Sequence, residues 1–358
     1  MTSPFDRPTT TLDEILSQPR CWTECLRALD QMEVIRSICA HLPPDGEWLF
    51  VGCGTSYYIA LSAAASFTSI TGMPARAVPA SEVMFFPDSV LGQRRTIIPV
   101  LISRSGKTTE VVKATQYLEN ERGIRTIAVT CHPDEQLAQI SALPVVLEAA
   151  AENSTVMTRS FSSMLMALEF LAASVAGKNS LLEELHQLPT RSAGMFEHTP
   201  GLVRDFVTRH EIENYSFLGQ GPFFGIANEA MLKVMESSCS YAQVFHSLEF
   251  RHGPKSIVSR GSLLGLFISD NAYAAEVDLL EEMKALGATT LAVTSQPTSR
   301  IQAAADLLIE VPSGSEHFRL AACALAGQLL GLYTGLKKGL DPDSPRNLSQ
   351  VVILNETV

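Results

Sequence analysis

The chain has 358 residues, longer than one hydrophobic core usually serves, so two domains are expected. It is 46% apolar and 18% charged, and its net charge of -11 contains no long acidic run. That balance argues against nucleic-acid or anionic-membrane partners and leaves any small anion to a local, dedicated site. The seven cysteines are odd in number and scattered, with no CxxC pair and no histidine at zinc-finger spacing, so they read as reduced thiols with no metal bound. The N-terminus lacks a basic segment followed by an apolar one, so no secretory signal is expected and the chain reads as cytoplasmic.

Residues 1–44 read as a helical arm, with Thr11 and Glu14 at capping-box spacing ahead of apolar residues at helical intervals. Beyond it, short apolar runs end in Gly, Ser or Thr and precede helix-like segments: Trp48 to Val51, Thr96 to Ile102, Thr126 to Thr130 and Pro144 to Leu147. This alternation predicts an α/β fold, a parallel sheet with helices on both faces in a flavodoxin-like three-layer sandwich. A helix is expected from Phe161 to Ala176, then a linker, then a strand near Tyr215. There the pattern repeats. GCGTSYYIA from Gly52 parallels GQGPFFGIA from Gly219, VLIS ending at Ser103 parallels LFIS ending at Ser269, and IAVT at Ile127 parallels LAVT at Leu291. Offsets of 167, 166 and 164 in one order point to a duplicated domain, 45–195 and then 196–358 with a C-terminal tail. The uncharged stretch from Leu320 to Leu336 is about one turn short of a membrane span and reads as a buried helix.

The two copies differ in their turns. After its strands the first carries Cys53-Gly54-Thr55-Ser56 and Ser103-Arg104-Ser105-Gly106-Lys107-Thr108-Thr109; the second carries Gln220-Gly221-Pro222-Phe223 and Asp270-Asn271-Ala272. In a parallel sheet such turns lie at the carboxyl ends of strands, where helix N-termini aim N–H groups at an anion. Gly54 lets the backbone approach closely, and the hydroxyls can donate to phosphate oxygens. Taken singly, either turn could serve only as an N-cap. Leu101 stands where a P-loop needs glycine, and GCGTSY lacks the third glycine of a dinucleotide fingerprint, so a nucleotide is disfavoured.

In the second copy, Glu229, Lys233 and Glu236 fall within about 60° of one helix face whose remaining circumference is nearly all apolar. A narrow charged stripe on a buried helix suggests a cleft wall where neighbours tune a carboxylate, although a plain i,i+4 ion pair would look the same. Downstream, Glu249-Phe250-Arg251-His252-Gly253-Pro254-Lys255-Ser256 is a polar cluster stopped by Gly-Pro, which puts His252 on a loop or short turn.

On these residues the sequence resembles the sugar isomerase (SIS) domain family, in particular two-domain proteins related to the isomerase half of glutamine-fructose-6-phosphate aminotransferase. CGTSYY, SRSGKTTE, NEAMLKVMES, FRHGPKS and a terminal SPRNL carry the resemblance in the same order from about residue 45. QPRCW, MTRSF and FRHGPKS are more similar to the amino-sugar-6-phosphate deaminase/isomerase branch, which has no glutaminase domain.

The resemblance implies two tandem SIS domains and a sugar-phosphate substrate without a cofactor. Thr55, Ser56, Ser103, Arg104, Ser105 and Thr108 match phosphate-binding positions, with Arg104 standing where the aminotransferase has glutamine. Glu236 matches the carboxylate that moves a proton between C1 and C2, with Lys233 and Glu229 as its helical companions. His252 matches the histidine of ring opening, which the neighbouring subunit supplies in the relatives, so a homodimer with shared sites is expected. Gln350 stands where the aminotransferase has a Schiff-base lysine, and an amide cannot form an imine. The function implied is an isomerizing deaminase of amino-hexose 6-phosphates, with a fructosamine-6-phosphate deglycase and a non-catalytic sugar-phosphate sensor as alternatives.

Overall fold

In the computed structural model, which describes residues 4–41, 43, 46–92 and 96–354, the chain opens on helices α1 (Thr10–Leu16), α2 (Gln18–Gln31) and α3 (Glu33–Ala40). The expected end of the arm at residues 44 and 45 lies outside the described residues. The expected capping box does not form: Thr9 caps α1, its hydroxyl accepting the Leu12 N–H at 3.1 Å. Thr11 Oγ1 donates to Asp343 at 2.7 Å, and Glu14 accepts the N–H groups of Asn153 at 2.6 Å and Ser154 at 3.1 Å. Spacing identified the residue types, but partners distant in sequence hold their side chains.

The first sheet unit continues through β1 (Glu47–Gly52), α4 (Thr55–Thr71), β2 (Ala75–Pro79), α5 (Ala80–Phe85), α6 (Pro87–Leu91), β3 (Ile97–Ile102), α7 (Thr109–Gln116), β4 (Ile127–Thr130), α8 (Gln136–Ile140) and β5 (Leu143–Val146). Its order is β2-β1-β3-β4-β5 with every pair parallel, so the direction of strand addition reverses between β1 and β3. β1 is buried from end to end because both its faces are covered. Trp48 and Phe50 pack with Phe67 of α4, whereas Leu49 and Val51 join Val83, Leu101, Val111 and Leu137 in a cluster on the other face. Helix α9 (Arg159–Val175) packs against α4.

A linker was expected after α9, but α10 (Asn179–Arg209) runs for 31 residues with Pro189 and Pro200 inside it. Proline removes an intrahelical donor and reads as a breaker. Burial of Leu185, Leu188, Phe196, Val203 and Phe206 along the helix offsets that cost.

The second sheet is built from β6 (Asn214–Gly219), α11 (Phe223–Ser238), β7 (Tyr241–His246), β8 (Ser262–Phe267), α12 (Tyr273–Ala285), β9 (Thr289–Thr294), α13 (Ser299–Ala304) and β10 (Leu307–Glu310). It is again parallel, ordered β10-β9-β8-β6-β7. β6 therefore takes the place of β1 and β7 that of β2, as the duplication predicts. The closing helix α14 (Glu316–Lys337) contains the long uncharged stretch. By length and composition α14 could cross a membrane, yet 94% of its most apolar window is buried inside the protein.

By compactness, the described residues of 20–152, 159–187 and 349–354 form one unit, and those of 4–19, 153–158 and 188–348 the other. The C-terminal tail thus belongs with the first sheet.

Candidate active site

The hydroxyl-rich turns of the first copy sit at the carboxyl ends of β1 and β3, where the strand order reverses. Gly54 opens α4 at φ 53 and ψ -127, a conformation that disfavours any residue with a side chain, and the helix has no side-chain cap. Thr55 and Ser56 follow in its first turn, both buried. In the second turn Ser103 Oγ lies 3.1 Å from Thr108 Oγ1, and Ser105 Oγ accepts the Lys107 N–H at 3.2 Å. Thr108 occupies the N-cap position of α7 without capping it through its side chain. These hydroxyls surround two helix N-termini, the arrangement suited to an oxyanion.

The corresponding place in the second copy is filled by a carboxylate. Glu276 accepts the Ser269 N–H at 2.7 Å, Ser269 Oγ at 2.9 Å and Ser247 Oγ at 2.7 Å, and its burial pushes its carboxyl up despite these donors. At offsets of 167 and 166 the first copy has Ala80 and Glu110. Alanine offers no hydroxyl there; Glu110 Oε2 is buried without a hydrogen bond, and the Ser103 N–H turns to Val129 O at 3.1 Å. The two aligned carboxylates, Glu276 and Glu110, thus differ in the donors they receive.

Arg104 places its guanidinium inward rather than toward solvent. It is 6% exposed, with Nη1 3.2 Å from Glu152 Oε1 and Nη2 donating to Gln350 O at 2.8 Å. Gln350 in turn donates through Nε2 to Glu152 O at 3.3 Å. Arg104 and Gln350 therefore meet in one network with Glu152. Glu152 was not singled out from sequence, because a glutamate after an alanine run carries no local signal of a partner 48 residues away.

On α11, Lys233 Nζ lies 3.2 Å from Glu229 Oε1 and 2.6 Å from Glu236 Oε2. The Lys233 and Glu229 side chains are 2% exposed, while Glu236 reaches the surface at 18%. Burial alone would push the Lys233 ammonium down, but the Glu229 and Glu236 carboxylates outweigh it and raise the pKa overall. Lys233 is accordingly a fixed cation that orients Glu236, and it is ill suited to act as an amine nucleophile. Glycines on α14 bring this helix close: a Cβ on Gly327 would lie 2.5 Å from Ala230 Cα, and one on Gly331 would strike Lys233 O.

His252 is exposed between two 3-10 turns, Leu248–Arg251 and Pro254–Ile257. Arg251 Nε and Lys255 Nζ on either side of it donate to Glu282 of α12 at 2.7 and 3.0 Å. Arg251 first and Lys255 second hold the Glu282 carboxyl below the usual range. Lys255 is thus also committed to a carboxylate. Among the described residues no group of three or more His, Cys, Asp or Glu could hold a metal ion.

A family model described as the SIS domain matches residues 44–174 and again 212–330. The glutamine--fructose-6-phosphate aminotransferase (isomerizing) of Pyrobaculum aerophilum is 28% identical over 348 residues, which cover 95% of this chain and 57% of that protein. The chain spans little more than half the length of such curated relatives. A solved glucosamine-6-phosphate deaminase from Thermotoga maritima is 29% identical, with a TM-score of 0.79 over 97% of this chain and 100% of that one. A tagatose-6-phosphate ketose/aldose isomerase from Escherichia coli, at 22% identity and a TM-score of 0.82 over 100% and 99%, shares the fold.

Proposed function

Since the chain belongs to the SIS domain family, we propose that it is a sugar-phosphate aldose-ketose isomerase acting on amino-hexose 6-phosphates, as an isomerizing deaminase. The observation that carries this reading is the α11 stripe, in which a buried, doubly paired Lys233 fixes the position of the partly exposed Glu236 side chain at 2.6 Å. Likeness to a glucosamine-6-phosphate deaminase over nearly the whole of both chains supports the choice of substrate class.

In this scheme Gly54, Thr55, Ser56, Ser103, Ser105 and Thr108 hold the phosphate ester. His252, supplied across a homodimer interface, moves the ring proton as the sugar opens. Glu236 removes the proton from C2 of the open-chain 2-amino aldose while the C1 carbonyl oxygen is protonated, giving an enolamine. Return of the proton to C1, with loss of one from nitrogen, leaves a C2 imine and a C1 hydroxymethyl group. Water adds to the imine carbon and ammonia departs, leaving a ketose 6-phosphate. No lysine is required, in keeping with an amide at Gln350 and with lysines 233 and 255 held by carboxylates.

The test is to incubate purified protein with glucosamine, galactosamine and fructosamine 6-phosphates while following ammonia, free amine, aldose and ketose. Ammonia and ketose in equal amounts from a 2-amino sugar are expected. Free amine and glucose 6-phosphate from a fructosamine would replace this reading with a deglycase, and tight binding without turnover would replace it with a sensor.

A further inference from the structure

A buried polar cluster in the unit of the first sheet joins segments that are far apart in sequence. The Glu152 side chain is wholly buried, paired with Arg104 Nη1 at 3.2 Å. Its carboxylate also accepts the Ser160 N–H at 3.4 Å and a short hydrogen bond from Ser160 Oγ. Arg104 passes from this pair to the carbonyl of Gln350, whose side chain returns to Glu152 O. Two residues on, Val352 O accepts the Thr109 N–H at 3.4 Å, and the Leu354 N–H donates to Thr109 Oγ1 at 3.0 Å. Thr109 opens α7 immediately after Thr108 of the hydroxyl cradle.

Residues 349–354 have no helix or strand to set their course, so these tertiary hydrogen bonds define it. The anchor must be charged at both ends. A guanidinium this deeply buried is untenable without a counter-charge, and the pair gains geometric precision from the serine donors that fix the carboxylate. The same burial turns Arg104 away from solvent although Ser103 and Ser105 flank it in the cradle.

We propose that Glu152 is a positioning residue for substrate binding: by fixing the Arg104 guanidinium on the carbonyl of Gln350, it straps the C-terminal tail along the first turn of α7 and completes one wall of the hydroxyl cradle. This rests on the cradle being the phosphate site. The phosphate is then held by hydroxyls and N–H groups, and the Arg104 charge acts on the tail.

Hydrogen exchange of the full chain, without substrate, compares the native protein with Glu152→Gln, Arg104→Gln and the double variant. Exchange in peptides covering residues 349–354 is expected to quicken roughly tenfold or more in each, the double variant matching the singles, while β1 and β3 keep their protection. With glucosamine 6-phosphate, KM should rise about tenfold with kcat changed less than about threefold, and Glu152→Asp should recover part of the loss. If Glu152→Gln does not fold, Arg104→Gln decides. If no sugar phosphate turns over, calorimetric binding of inorganic phosphate replaces KM. Unchanged tail exchange in the folded variants overturns the proposal, and so does faster exchange with unchanged KM or phosphate affinity. Absence of turnover by the native protein counts against the deaminase reading alone, because tail exchange is measured without substrate.

Discussion

In the proposed role of Glu236 as the base, Lys233 serves to hold its carboxylate in place: the ammonium lies 2.6 Å away and its own pKa is raised by Glu229 and Glu236. Glu236→Gln keeps the size and the hydrogen bond to Lys233 but cannot accept a proton. Ammonia release should fall by about a thousandfold or more with KM nearly unchanged; comparable kcat in steady-state assays would refute the role. Lys233→Met removes the cation that lies 3.2 Å from the buried Glu229 carboxylate, so unfolding should become easier by about 3–5 kcal/mol, read as a lowered denaturant midpoint. The charged stripe was legible in the sequence because three helical positions report their own geometry. The direction of the Arg104 side chain was not: its partners Glu152 and Gln350 are 48 and 246 residues away, and spacing says nothing about them.

Helices place these residues, and two helical features carry consequences. α14 meets α11 through Gly327, Gly331 and Gly335, each lying against backbone of the facing helix. Gly331→Ala should push α11 outward, costing about 1–3 kcal/mol in thermal unfolding and lowering kcat without touching the substrate. Unaltered kcat would show that α11 tolerates the shift. In α9, burial lifts the Glu169 carboxyl from 4.5 to about 8, opposed by a hydrogen bond from Ser66. The unfolded chain releases this proton near pH 4.5, whereas the folded chain keeps it to about pH 8. Within that window the folded state binds more protons, so stability declines as pH rises, by at most about 1.4 kcal/mol per unit. Glu169→Gln should flatten the decline in Tm between pH 5 and 8; an unchanged slope would rule out Glu169 as its source. Element signals also misled where tertiary burial outweighed them. The segment of α10 read as a linker, and β2, half-buried along its length, and β7, with exposed ends, did not register as strands because neither carries a continuous apolar run.

For the whole molecule, the proposed homodimer with His252 shared between subunits makes a prediction that single variants cannot. Glu236→Gln and His252→Ala proteins, each inactive alone, should regain about one quarter of native activity when unfolded and refolded together, since each mixed dimer then holds one intact pair. No recovery would place both residues within a single chain's site. The sequence by itself determined the duplication, the parallel α/β class and the contrast between a hydroxyl-bearing copy and one with a charged helix. Those features rest on local periodicity and on strings repeated at a fixed offset. Tertiary structure alone decided that the C-terminal tail returns to the first sheet, that Arg104 turns inward to hold it, and that Glu276 fills the second copy's turn. Each of these depends on which buried charge or donor finds a partner, and burial is a property of the folded chain.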